Sequence, residues 1–254
     1  MIRLVALLRR RGDLELDEFH RRWRDVHGPL VAGHQTTLNV LRYTQTHRLE
    51  EPVERQPNNP RGPMEAPYDG VSEMWFESEE ALLESLEGDA WATVLDDEAE
   101  LVDRAASPVW LAHEYPQFSS SLDTPVARQD SGLIKVHFVL RSPAAVSDDD
   151  AQRYWRTHHG PLIRSMRHTL GILTYQQVHR FVSDVERQLR ERRGTTVEPY
   201  LGHAEMWIDR SVSFRPPEQA RSAVRAFEDE TRFIDFDRSS SWSGKEFVFV
   251  DQLA

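Results

Sequence analysis

The feature that most constrains this chain is that it is written twice. Shifted by 132 residues, the sequence matches itself without a gap. Trp23-x3-His27-Gly28-Pro29-Leu30 returns as Trp155-x3-His159-Gly160-Pro161-Leu162, and Leu41-x-Tyr43-x-Gln45-x-His47-Arg48 as Leu173-x-Tyr175-x-Gln177-x-His179-Arg180. Pro67-Tyr68-x-Gly70-x-x-Glu73-Met74-Trp75 returns as Pro199-Tyr200-x-Gly202-x-x-Glu205-Met206-Trp207. The block 53–56 recurs at 185–188, and Ser107, Trp110 and Glu114 as Ser239, Trp242 and Glu246. Pairing 1–122 with 133–254 gives 36 identities in 122 positions. A fixed long period means that one structural unit has been duplicated, so the fold of one unit must explain both. The units read as 1–116 and 133–254, joined by a Ser- and Pro-containing linker over 117–132.

Each unit has the same order of elements. β-rich runs at 2–8 and 134–140 read as a first strand. Helices open near Asp17 and Asp149, and the stripe Phe19, Trp23, Val26, Leu30 predicts one buried helical face. Segments 41–47 and 173–179 alternate as a second strand. A long polar loop follows, Pro-rich in the first unit and charged in the second. Third strands are expected at 71–76 and 203–208, a helical region at 81–102 broken at Gly88, and last strands at 109–115 and 245–250. The order βαββαβ is the ferredoxin-like split βαβ, an α+β unit. Its two helices cover one face of a four-stranded sheet and leave the other bare. Two copies on one chain predict that the bare faces close on each other as an intramolecular α+β barrel.

Composition narrows the functions. There are 31 basic against 42 acidic residues, a net charge of −11, which disfavours a phosphate-backbone binder; no nucleic-acid partner is expected. The absence of Cys excludes disulfides, thiolate metal ligands and Cys nucleophiles. The apolar run 4–8 is closed by Arg9-Arg10-Arg11, too short for a signal core or a membrane span, so no membrane partner and a cytoplasmic location are expected. No Gly-rich phosphate loop, Ser nucleophile elbow or helical HExxH zinc spacing occurs.

The block Trp-x3-His-Gly-Pro-Leu followed by Leu-x-Tyr-x-Gln-x-His resembles the EthD family, named for an ether-degradation accessory protein, of the dimeric α+β barrel superfamily. The resemblance covers both repeats almost completely. It implies the barrel, with this chain as a fused pseudo-dimer, and leaves a further homodimer of that fused unit open. Relatives on this scaffold include muconolactone isomerases, polyketide cyclases and cofactor-free monooxygenases, and one scaffold hosts many chemistries.

Strand parity selects the residues expected to face the barrel interior. In the second repeat these are Lys135, His137 and Val139; Tyr175, Gln177 and His179; His203, Glu205 and Trp207. In the first they are Arg3, Val5 and Leu7; Tyr43, Gln45 and His47; Val71, Glu73 and Trp75. His27 and His159 lie late in helix one, where Gly-Pro is expected to kink or break it and present them at a pocket mouth. The competing reading makes them helix caps, Tyr43 and Tyr175 core residues, the tryptophans packing, and Glu73 and Glu205 members of salt bridges with Arg.

The sequence thus predicts an enzyme without cofactor, metal or haem, doing acid/base chemistry (dehydration, cyclisation or isomerisation) on a small apolar or aromatic metabolite. His159, His203, Glu205, Tyr175, His137 and His27 are its catalytic candidates. Tyr43, Glu73, Trp75, Trp207, His179 and Gln177 are the substrate-binding ones. Histidine suits the role because its pKa lies near neutrality. A non-catalytic small-molecule carrier and a cofactor-free monooxygenase are the alternatives. The repeats differ where it matters: Val5, Val26 and Val71 become His137, His158 and His203. Buried imidazoles without partners cost about 1–3 kcal/mol. The second repeat is therefore expected to hold the working pocket, around His137, Tyr175, His203 and Glu205 with His159 at its edge, unless His137 and His203 simply hydrogen-bond each other.

Overall fold

The computed structural model describes residues 1–50, 60–120, 125–212 and 217–253. The first repeat runs β1 (Ile2–Leu8), α1 (Leu16–Arg22), a π-helical turn (Trp23–His27), α2 (Gly28–Gly33), β2 (Arg42–Arg48), β3 (Gly70–Phe76), α3 (Glu79–Leu86), α4 (Asp89–Ala99) and β4 (Val109–Ser119). The second runs β5 (Leu133–Leu140), α5 (Asp148–Tyr154), a π turn (Trp155–His159), α6 (Gly160–Ser165), α7 (Arg167–Leu170), β6 (Ile172–Phe181), α8 (Asp184–Arg193), β7 (Gly202–Asp209), α9 (Gln219–Glu230) and β8 (Ser240–Asp251).

The strands form one closed antiparallel barrel in the order β1-β3-β2-β8-β5-β7-β6-β4. Each repeat supplies four consecutive strands, and the seams are β2 with β8 and β4 with β6. Every strand edge is therefore consumed, which removes the unpaired edges an open sheet would expose. The helices pack outside over two apolar cores. One holds Phe19, Trp23, Tyr43 and Phe76, the other Phe138, Trp155, Tyr175 and Phe233. Among the described residues no helix is long and apolar enough to cross a membrane.

One expectation about the elements changes. The polar loop of the second repeat contains α8. Ser183 caps it by accepting from the Glu186 N–H, and Gly194 ends it at φ 72°. Ser183-x-x-Glu186 is a capping-box spacing and Gly194 a C-terminal stop, so the signal was present in the residues. The block 185–188 lies in this helix, while its copy 53–56 lies outside the described residues. The expected break at Gly88 is found, between α3 and α4.

Candidate functional site

Helix one does not break at Gly-Pro. Gly28 and Gly160 keep right-handed helical dihedrals, and the chain widens into a π turn just before them. A proline ring would clash with the carbonyl four residues back in an α-helix. The Gly28 and Gly160 N–H groups donate instead to the carbonyls of Trp23 and Trp155, five residues back. The inserted residue shifts the helix phase. The buried stripe is accordingly Phe19, Trp23, His27 and Val31, with Val26 exposed, and in the second repeat Ala151, Trp155, His159 and Ile163.

That shift turns His27 and His159 under the helix. His27 Nδ1 lies 2.7 Å from Asp97 on α4, and His159 Nδ1 2.8 Å from Asp229 on α9. Hydrogen bonding from His27 holds the Asp97 carboxyl below its usual range. Burial works the other way at Asp229, but the bonds from His159 and Tyr154 outweigh it and hold that carboxyl low too. An ionised carboxylate can only accept, so Nδ1 carries the proton in both histidines. Neither Asp97 nor Asp229 was a candidate, although Asp97-Glu98 recurring as Asp229-Glu230 in the 132-residue register pointed to them.

Strand two faces the opposite way from the parity assignment. Gln45 Nε2 donates to the Trp23 carbonyl at 2.9 Å and to the Tyr43 hydroxyl at 2.8 Å. Gln177 repeats this on Trp155 and Tyr175 at 3.0 and 3.1 Å, and Trp155 Nε1 donates to the Tyr175 hydroxyl at 2.8 Å. His47 and His179 pair with the Gln45 and Gln177 carbonyl oxygens at 2.9 and 3.0 Å, and each stacks on its helix-one tryptophan with centroids 4.5 Å apart. Tyr43, Gln45, His47, Tyr175, Gln177 and His179 thus lie under the helices, outside the barrel interior. Their polar atoms are taken up by the π turn, so polarity misled the face assignment. Burial raises both tyrosine hydroxyls, lowers His47 well below its usual value, and takes His179 down to about 3, with Arg156 adding to the last.

Strands one and three face as their parity indicated. Arg3, Glu73, Lys135 and Glu205 meet at the centre of the barrel. Arg3 Nη2 contacts both Glu73 and Glu205, and Nη1 reaches Glu114 at 2.8 Å. Lys135 Nζ lies 3.0 Å from Glu73, 2.8 Å from Glu205 and 3.2 Å from Glu246. Trp75 and Trp207 donate through Nε1 to Glu114 and Glu246, each at 2.8 Å. The arrangement obeys the 132-residue relation throughout, with Arg3 matched to Lys135. Burial raises Glu73, but Arg3 and Lys135 outweigh it and hold its carboxyl down at about 2; Glu205 is held well below its usual value by the same two cations against burial.

His137 and His203 add to this cluster from the second repeat. His203 Nε2 lies 3.3 Å from Glu205 and 3.5 Å from Glu73, and His137 Nε2 3.5 Å from Glu205. Burial lowers His137 to about 4. The two rings stand 5.4 Å apart, and neither ring nitrogen of His137 has a hydrogen-bond partner among the described residues, so they do not bond each other. The rest of the interior is filled by Val5, Leu7, Tyr68, Trp110, Tyr200, Trp242 and their neighbours. The cavity beside the network, between Trp75 and Trp207, measures about 50 Å³. That is room for a few waters or an ion, not for an aromatic metabolite.

A larger concavity lies outside the barrel on the second repeat. It measures about 390 Å³ and is lined by Val146, Asp150, Tyr154, His158, Arg232 and Phe233, with Arg153 and Thr157. The His158 ring stacks on Tyr154 at 4.8 Å, and the Tyr154 hydroxyl donates to Asp229 at 2.6 Å. The carboxylate that holds His159 therefore also holds the cleft wall, and His159 packs behind it at 5.1 Å from Phe233. His158 Nδ1 sits 2.9 Å from Thr157 Oγ1, which donates its own proton to the Arg153 carbonyl at 2.7 Å. The threonine oxygen must then accept, which puts the proton on Nδ1 and leaves the Nε2 lone pair of His158 without a hydrogen-bond partner among the described residues. The first repeat has Arg22, Val26 and Leu101 where the cleft has Tyr154, His158 and Phe233.

Two βαββαβ units closed on each other define a fused α+β barrel. The EthD domain model matches residues 11–105 and 144–237, and the chain belongs to the EthD family, as a tandem-repeat member. Two solved structures named "putative monooxygenase" are similar to it. One, from Fusobacterium nucleatum, is 7% identical at a TM-score of 0.51 over 97% of this chain and 93% of that one. The other, from Lactobacillus acidophilus NCFM, is 8% identical at 0.47 over 99% and 96%. A mutant chlorite dismutase from Candidatus Nitrospira defluvii is 10% identical at 0.46 over 98% and 92%. No curated protein matches the sequence significantly.

Proposed function

We propose that this protein is an enzyme that moves a proton on a small aromatic metabolite, in a dehydration, cyclisation or isomerisation carried out at the cleft of the second repeat. The observation that supports this reading is His158, an imidazole with a free Nε2 facing an aromatic-walled cleft of metabolite size. In this reading His158 is the general base. Tyr154 fixes its ring by stacking, and Asp229 with His159 fixes Tyr154. Arg232, at the rim, steadies the enolate or phenolate charge that develops when the proton leaves. Side chains alone suffice for such a step. His159, expected from the sequence to act directly, becomes a positioning residue.

The test is solvent-deuterium exchange at the carbon beside the carbonyl in a panel of aryl ketones and aryl lactones, followed by NMR. Exchange that falls about 10²-fold or more in His158→Ala supports the proposal. Equal exchange in the variant, ligand binding without exchange, or substrate-dependent uptake of O2 would each overturn it. The last two outcomes would point to a carrier and to a cofactor-free monooxygenase.

A further inference from the structure

The barrel interior carries a second centre that the cleft chemistry does not use. Four side chains, Glu73, His137, His203 and Glu205, bring one ligand atom each to within 4.8 Å of one another, and all four are fully buried. We propose that they form a binding site for one divalent first-row transition-metal ion.

The spacing is the first argument. Ligand atoms about 2.0–2.1 Å from a tetrahedral metal stand about 3.3–3.4 Å from one another. His203 Nε2 is 3.3 Å from Glu205 Oε1 and 3.5 Å from Glu73 Oε1, and His137 Nε2 is 3.5 Å from Glu205 Oε1. These three distances match edges of such a tetrahedron, the four atoms all lie within 4.8 Å of one another, and the three are long for hydrogen bonds. Backbone register produces them: His137 lies directly opposite Glu205 across β5 and β7.

The second argument is the unused nitrogens. Both ring nitrogens of His137 and Nδ1 of His203 are buried with no hydrogen-bond partner among the described residues. Such groups normally find a partner, and one left without calls for an explanation such as an ion. Valine stands at the matching positions of the first repeat, Val5 and Val71, and packs there at 0% exposure. Packing alone therefore does not call for imidazole.

Charge is the third. Glu73, Glu205, Glu114 and Glu246 bring four negative charges, and Arg3 and Lys135 two positive ones. With neutral imidazoles, as metal ligands must be, the cluster carries two uncompensated negative charges, and one divalent ion cancels them. Arg3 and Lys135 then serve as outer partners that hold the carboxylates. Lys135 does so through Glu73 Oε2 at 3.0 Å, and Arg3 through Glu205 Oε2 at 3.1 Å and Glu114 at 2.8 Å from Nη1; Arg3 Nη2 also contacts Glu73 Oε1 and Glu205 Oε1, and Lys135 Nζ lies 2.8 Å from Glu205 Oε1, so the ion shares these two ligand oxygens with the cations. Two imidazoles and two carboxylates with no sulfur suit Zn2+, Co2+, Mn2+ or Fe2+.

Because the barrel is closed, the metal is supplied during synthesis. The full-length protein is produced in medium supplemented with Co2+, passed over a desalting column with chelator, and analysed for metal content and visible absorption. The expected result is about one Co2+ per chain with the strong visible bands of four-coordinate Co2+. The double variant His137→Val/His203→Val carries the residues the first repeat already accommodates, and is expected to elute and show circular dichroism as the parent does, with its metal reduced at least tenfold. Absence of stoichiometric metal in the parent, from Co2+ or Zn2+ medium, overturns the proposal, as does equal metal in the double variant. His158→Ala should keep the ion, so this outcome is independent of the cleft chemistry.

Discussion

Arg3 and Glu205 join the two repeats through the middle of the barrel: Arg3 Nη1 stands 3.1 Å from Glu205 Oε2 across 202 residues of sequence. Lys135 answers from the second repeat, with Nζ 3.0 Å from Glu73 of the first. Each repeat thus neutralises the other's carboxylate. A half-barrel folding alone would keep the Arg3–Glu73 or the Lys135–Glu205 pair and lose the cross-repeat contacts, so the network couples closure of the barrel to pairing of the repeats.

Removing one member of this network should cost far more than removing a surface ion pair. Arg3→Met leaves Glu73 and Glu205, both buried, sharing a single cation, Lys135. The expected loss is about 3–5 kcal/mol in a urea unfolding curve. The helical pair Arg187–Glu191 on α8 is the control. Its two side chains are 59% and 63% exposed, and Arg187→Ala should leave the midpoint unchanged.

The stacked histidines should make stability depend on pH. His179 is lowered from 6.5 to about 3 by burial and Arg156, and His47 is lowered well below 6.5 by burial and His20. The unfolded chain therefore takes up protons below about 6.5 that the folded chain refuses until near pH 3. A depressed folded-state pKa gives stability that is complete above the unfolded value and is lost as pH falls. Urea midpoints should hold steady above pH 7 and decline from pH 6.5 downward. In His47→Gln/His179→Gln, where the position no longer titrates, that decline should be shallower. A parallel decline in the double variant would show that other groups set it.

Strands one and three could be read from the chain because their alternation is unambiguous. A row such as Ile134, Val136, Phe138 and Leu140 can only face helices, which left Lys135 and His137 to the interior. Strand two could not. Tyr43, Gln45 and His47 look like a site, yet they satisfy a helix carbonyl, one another and a tryptophan face. The π turn hid two further features, since its extra residue moves Val26 out and His27 in, a phase shift that no 3.6-residue periodicity reveals. The Tyr154–His158–Phe233 cleft escaped because it joins α5 and the turn after it to the segment beyond α9, 70-odd residues away.

The glycine of Trp-x3-His-Gly-Pro should prove to be a contact residue between repeats. A Cβ on Gly28 would fall 2.3 Å from the ring of Phe249 on β8, and one on Gly160 2.4 Å from Gln117 on β4. These are matching positions, each from the other repeat. Alanine would otherwise favour a helix by about 1 kcal/mol. Here Gly28→Ala should destabilise by about 1–3 kcal/mol, because an aromatic ring must move. Gly160→Ala should cost less, since the end of a glutamine swings aside. Phe249→Ala in the same chain should remove most of the added cost of Gly28→Ala in a double-mutant cycle of unfolding free energies.

The two carboxylate–histidine pairs should differ in function although their geometry is the same. Asp97 holds His27 at 2.7 Å and Asp229 holds His159 at 2.8 Å. Of the two, among the described residues, Asp229 alone also accepts from a tyrosine, Tyr154, which stacks on His158 in the cleft. Asp97→Asn should therefore affect unfolding alone. Asp229→Asn should also loosen Tyr154 and with it His158, lowering kcat about 10-fold, less than loss of the base itself at about 10²-fold or more. The comparison is made on the exchange assay and the unfolding curve together. If Asp229 acts by positioning, the pH profile of the remaining activity should keep its shape, because Asp229 reaches His158 only through Tyr154. Equal kcat losses in Asp97→Asn and Asp229→Asn, at equal loss of stability, would mean that both pairs serve only to pin helix one to its neighbour, and that the cleft asymmetry carries no chemistry.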